Sequence, residues 1–163
     1  MLTVLAFLAA AAASPVLTKP KPMDIPALTT AMCLDEDAAA KISEQMDGPL
    51  GRTDDDYNEQ WQQYNSARMA KLGLSEPEQG ALVQRVTTSK KYTDLDARNQ
   101  KILASVGKEM EALDDAEDNT EECRIMVRAF AKMKPMAQNA QKQWELVDAE
   151  IVAEAKRRKI KLD

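Results

Sequence analysis

The stretch EECRIMVRAFAKMKPMAQNAQKQWELVDAEIVAEAKRR, residues 121–158, decides the fold. Cys123, Met126, Val127, Phe130 and Met133 recur at spacings of three and four, and Met136, Ala140, Trp144, Val147 and Ile151 continue the series. That period marks one apolar face of an amphipathic helix. Pro135 stands in its middle. A proline inside a helix removes one hydrogen bond and crowds the preceding turn, so the reading there is a kink or a short break, not a hairpin.

The same period is met walking towards the N-terminus. Thr93 followed by Asp96 is a Ser/Thr-x-x-acid start, and it predicts a helix over 94–113 with Leu95, Ile102, Val106, Met110 and Leu113 along one stripe. Ser75 and Glu78 repeat the device ahead of Leu82, Val83 and Val86. Thr53 and Asp56 repeat it again ahead of Tyr57, Trp61, Tyr64 and Leu72, with Gly73 as the stop. Residues 47–53, DGPLGRT, read as a turn. A first helix over 27–46 carries Leu28, Met32, Ala39 and Ile42, with Cys33 beside them. Nowhere is there convincing strand alternation. The expectation is all-α: an antiparallel bundle of about five helices, one domain over 27–163.

Composition agrees. The chain has 163 residues, 44% apolar and 30% charged, with only 4% aromatics and five glycines. The net charge of −5 argues against nucleic acid as a partner, because a phosphate backbone needs clustered cations. There is no histidine. That removes Ser-His and Cys-His dyads and His-ligated zinc or haem. No cofactor is implied.

The first residues, MLTVLAFLAAAAASPV, are apolar from Leu2 to Ala13. A membrane-spanning helix needs about 20 such residues, whereas a secretory signal needs fewer and ends in small ones. Ala11, Ala12 and Ala13 supply that ending, although no Lys or Arg precedes Lys19. Residues 1–13 are therefore read as a signal peptide, and the chain as exported to a periplasm or secreted. Residues 14–26, SPVLTKPKPMDIP, hold four prolines and read as a flexible, extended leader. In an oxidising compartment Cys33 and Cys123 are expected to form one intramolecular disulfide; two buried thiols or an intermolecular bridge are the alternatives.

Three further features are candidates for binding. Tyr57, Trp61 and Tyr64 form an aromatic stripe, which is either core or a surface for a ligand or client. The tail carries Lys156, Arg157, Arg158, Lys159 and Lys161, suited to the negative end of a helix dipole or to peripheral contact with an anionic membrane. Nine methionines suit adaptable packing or an adaptable groove. The acidic run from Glu109 to Glu122 fails the EF-hand pattern, with neither the required Gly nor the final Glu in register. Nearly all the acids lie in polar runs or at helix starts, which leaves no obvious isolated acid for a carboxylate-dependent glycan-cleaving enzyme.

The segment LGLSEPEQGALVQRV, 72–86, resembles the Leu-Thr-x-x-Gln segment of small periplasmic helical stress chaperones. Here Ser75 stands for Thr and Glu78 for Gln, with Gln79 one place late. The resemblance implies a helical, cofactor-free protein that binds unfolded clients on an amphipathic surface. The expected function is a non-enzymatic binding or chaperone-like module with a protein partner. A structural or envelope-associated subunit using the basic tail is the alternative, and a glycan-cleaving enzyme the third.

Overall fold

The computed structural model describes residues 18–162. The signal-peptide reading falls on residues outside that range, as do the first four residues of the leader. Five α-helices follow: α1 (Glu36–Gln45), α2 (Gly51–Lys71), α3 (Glu76–Thr87), α4 (Lys90–Met110) and α5 (Asn119–Arg158). Among the described residues there is no strand. The all-α expectation holds.

The five helices line up as three rods. Going from Cys33, just before α1, through α1 to α2, the α5 partners rise in number: Cys33 meets Cys123, Ser43 meets Met126, Asn58 meets Trp144 and Arg68 meets Asp148. Going from α3 to α4 they fall: Glu78 meets Arg158, Arg85 meets Glu150, Asn99 meets Asn139 and Glu109 meets Arg128. The first rod therefore runs parallel to α5 and the second antiparallel to it. At 1.5 Å per residue, α5 is a spine about 60 Å long.

Two apolar clusters sit towards opposite ends of that spine. One gathers Met69, Leu72, Leu74, Leu82, Val86, Val147, Ile151 and Ala155. The other joins Cys33, Ala39, Cys123 and Val127, with Leu28 and Ile42 packed against it. Cys33 and Cys123 are disulfide-bonded, with Cα atoms 5.9 Å apart. The bond ties the entry of the first rod to the start of α5.

Several helix starts differ from the sequence reading, for local reasons. Residues 27–35 are not α-helical; a single 3₁₀ turn covers Thr30–Met32, and α1 begins after Asp35, whose carboxylate accepts the Ala38 N–H at 2.8 Å. The overlooked signal was Asp35 itself, followed by Glu36 and Asp37 in the first turn. Thr53 is not a cap. The chain passes from α1 into α2 through the tight turn Met46–Leu50, in which only Gly48 leaves helical geometry. Gly51 makes this possible, since a Cβ there would lie 2.6 Å from the Met46 carbonyl oxygen. Ser89, not Thr93, caps α4. The Ser75–Glu78 box is present as read, and Gly73 ends α2 in the left-handed region at φ 64°.

Pro135 lies inside α5, and the helix continues on both sides of it. Pro135 and Ala131, whose carbonyl loses its partner, are both exposed, so water can satisfy the freed oxygen. Pro135→Ala should restore that bond and raise stability by about 1–3 kcal/mol, below the full helix-interior penalty of proline. A urea midpoint that stays put or falls would show that the proline's stiffening of the unfolded chain dominates.

Candidate functional site

The aromatic stripe faces the interior. Tyr57 is 5% and Trp61 1% exposed, while Tyr64 is half-buried. Trp61 stacks on Trp144 of α5, with centroids 6.3 Å apart and planes 3° from parallel, and Tyr57 and Tyr64 meet it edge-on. The Trp144 indole N–H donates to Asn58 Oδ1 at 2.8 Å. Burial raises the Tyr57 phenol above its ordinary range, partly offset by the Trp61 indole beside it. These rings join α2 to α5 between the two apolar clusters. Of the two readings of the stripe, this is the packing arrangement.

Beside the rings lies a charged group that the sequence reading passed over. Asp148 is 8% exposed and forms ion pairs with Arg68 of α2 and with Lys19 of the leader. The Lys19 ammonium stands 3.2 Å from Asp148 Oδ2 and 5.5 Å from the centre of the Trp61 ring. Arg68 in turn lies over the Tyr64 ring at 5.0 Å and donates to its hydroxyl at 3.0 Å. An ammonium between an indole face and a carboxylate gains from both the ring quadrupole and the ion pair. The signal was legible: Asp148 falls four residues after Trp144 and three before Ile151, squarely on the core stripe.

The leader reaches this group by running beside α2. Residues 18–24 and the α2 residues Thr53, Asp56, Tyr57, Gln60 and Gln63 enclose an open cleft of about 720 Å³. Further on, Met23, Asp24 and Ile25 line a second, smaller cleft together with Lys134, Ala137, Gln138 and Gln141 of α5. The segment thus spans the groove between the first rod and the spine.

The two arginines of the basic tail are committed to neighbouring carboxylates. Arg157 pairs with Glu150 at 2.9 Å and Glu154 at 2.6 Å, and Arg158 pairs with Glu154 at 2.7 Å and Glu78 at 2.8 Å. The Ser75 hydroxyl and Arg158 together lower the Glu78 carboxyl to about 2. Lys156, Lys159 and Lys161 are exposed. The acidic run reaches its neighbours singly: Glu109 is held below its ordinary range by Lys132 and Arg128. Among the described residues no three Asp, Glu or Cys side chains gather closely enough to hold a metal ion, and no helix is long and apolar enough to cross a membrane.

The apolar stripe that begins on α4 is only partly covered. Of Leu95, Ile102, Val106, Met110 and Leu113 only Leu95 is buried. Met110 is 39% exposed, Leu103 beside the stripe 44%, and Met133 on the facing part of α5 39%.

Comparison with protein-family models, with curated proteins and with solved structures found no match. The segment 72–86, which carries the chaperone resemblance, is the C-cap of α2, its glycine stop, the Ser75 cap and all of α3 but its last residue. Local helix chemistry accounts for that pattern.

Proposed function

We propose that the protein is an exported, periplasmic-type, non-enzymatic helical module that binds protein clients in a chaperone-like manner, using the α4–α5 hairpin. The observation that carries this reading is the half-open α4 stripe. A helix that presents Leu103 and Met110 to solvent beside half-buried Ile102 and Val106, with Leu113 in the 3₁₀ turn that follows, offers apolar area that its own fold leaves unfilled. Met110 and Met133 suit such a surface, because unbranched thioethers adapt to differently shaped partners. The Cys33–Cys123 bond supports the compartment, since disulfides persist where the milieu is oxidising.

The reading in which the tail attaches the protein to an anionic membrane draws less support. Arg157 and Arg158 are already neutralised by Glu150, Glu154 and Glu78. Export itself is checked by the intact mass of protein made in its native host.

The functional test is suppression of aggregation of a reduced, unfolding client protein, followed by light scattering. The native chain should suppress it at near-stoichiometric ratios. The double variant Leu103→Lys, Met110→Lys should lose most of that effect while keeping its helical circular dichroism. A native chain without effect, or a charged variant as potent as the native one, overturns the reading.

A further inference from the structure

The α2–α5 groove is occupied by the chain's own leader, in a manner that looks like bound peptide. We infer that this groove is a receptor for extended, proline-interrupted polypeptide segments bearing a lysine, and that Lys19 is its resident occupant. The site uses the part of α5 that meets α2, not the exposed Leu103 and Met110 of α4, so its test is separate from that of the client-binding proposal.

Three observations carry it. The first is the construction of the receptor. Asp148 and Trp61 are 8% and 1% exposed, and both belong to long helices, so carboxylate and ring are held whether or not Lys19 is present. Arg68 balances the carboxylate from the other side. The receptor side is rigid, and it reads an ammonium by charge and by ring face together.

The second is the character of the occupant. Residues 18–26, TKPKPMDIP, have no helix or strand, and the Lys19 side chain is 49% exposed against 12% for Asp148. Pro20 and Pro22 restrict the backbone to extended conformations and remove N–H donors. Such a segment loses little freedom on docking, and its recognition falls to side chains. The third is the incomplete fit. The leader leaves a cleft of about 720 Å³ against Tyr57, Gln60 and Gln63, whereas a segment belonging to the core would be packed to interior density. A partner segment can therefore take the ammonium position and use the Gln60 and Gln63 amides alongside it.

A cis occupant competes at an effective concentration in the millimolar range, so the intact chain should bind such peptides weakly. The probe is an N-acetylated, C-amidated peptide with the sequence of residues 18–24, TKPKPMD, titrated into the full chain while tryptophan fluorescence and indole proton resonances are followed. Lys19→Ala, a change on the exposed leader, should bind the peptide at least tenfold more tightly than the native chain, and Lys21→Ala should match the native chain. A peptide with norleucine in place of its first lysine should bind the Lys19→Ala chain at least tenfold more weakly than the parent peptide. Equal binding of the parent peptide by the native chain and Lys19→Ala, no binding by Lys19→Ala, or equal binding of the norleucine peptide would each overturn the inference. Near-UV circular dichroism of Lys19→Ala identical to that of the native chain establishes that the comparison is between folded proteins.

Discussion

Reduction of the Cys33–Cys123 bond is expected to lower the unfolding free energy by about 4–5 kcal/mol. The sequence separation of 90 sets that size, because an open chain of this length regains the loop-closure entropy that the bond withholds from the unfolded state. The native side adds no compensating gain. Both cysteines are fully buried, packed with Ala39 and Val127, so opening the bond leaves two thiols in the same apolar contact. A domain typically holds only about 5–15 kcal/mol in total, so the loss is a large share of the whole. Urea unfolding with and without a phosphine reductant measures it, and the Cys33→Ala, Cys123→Ala variant should unfold like the reduced chain. A difference below about 1 kcal/mol would mean that the unfolded state is already compact across this loop.

Asp148→Ala is expected to cost about 3–5 kcal/mol, the range for breaking a buried ion pair by removing one partner. The loss is large because of what remains. Arg68, with a side chain 15% exposed, keeps its charge inside the α2–α5 contact without an anion, and Lys19 loses its anchor. The pair itself is worth much less than its breakage suggests. Replacing both partners at once, Arg68→Met with Asp148→Leu, should come within about 1 kcal/mol of the native chain or exceed it, since neither desolvated charge then remains. The double-mutant cycle therefore predicts strong coupling. Additive losses for Asp148→Ala and Arg68→Ala would show that the two side chains do not act as a unit.

What the sequence revealed was what local chemistry decides. The apolar period of α5, the Ser75–Glu78 box and the Gly73 stop all depend on residues within a turn or two of one another. The cysteine pairing was legible from counting, because two thiols allow one internal bond. What escaped was set by distant contacts. Residues 27–35 carry helix-compatible spacing, yet Cys33 is drawn onto α5, and the helix waits for Asp35. Thr53 has the composition of a cap, but the close approach allowed by Gly51 starts α2 three residues earlier, after Leu50. The α4 stripe has the period of a core face. It stays half open because α4 packs chiefly on α5, with α3 and the turn that follows it as its other main neighbours.

The candidate site was legible in its parts and not in its assembly. Tyr57, Trp61 and Tyr64 were found by spacing, and the same spacing held Asp148 and Arg68 in view. No local rule pairs a leader lysine with an acid 129 residues away. That pairing needs the first rod to lie parallel to α5, a fact of topology that helix periodicity does not carry. The tail shows the converse: five cations read as a patch until Glu78, from another rod, takes up Arg158.

The account stands on a helical spine whose N-terminal end is covalently joined to the entry of the first rod. Protein purified from its native host, alkylated without reductant, digested and analysed by mass spectrometry tests that most directly. The account predicts a single cross-linked peptide pair containing Cys33 and Cys123 and no alkylated cysteine. Recovery of both cysteines alkylated, or of cross-links joining two copies of the same cysteine, would contradict it.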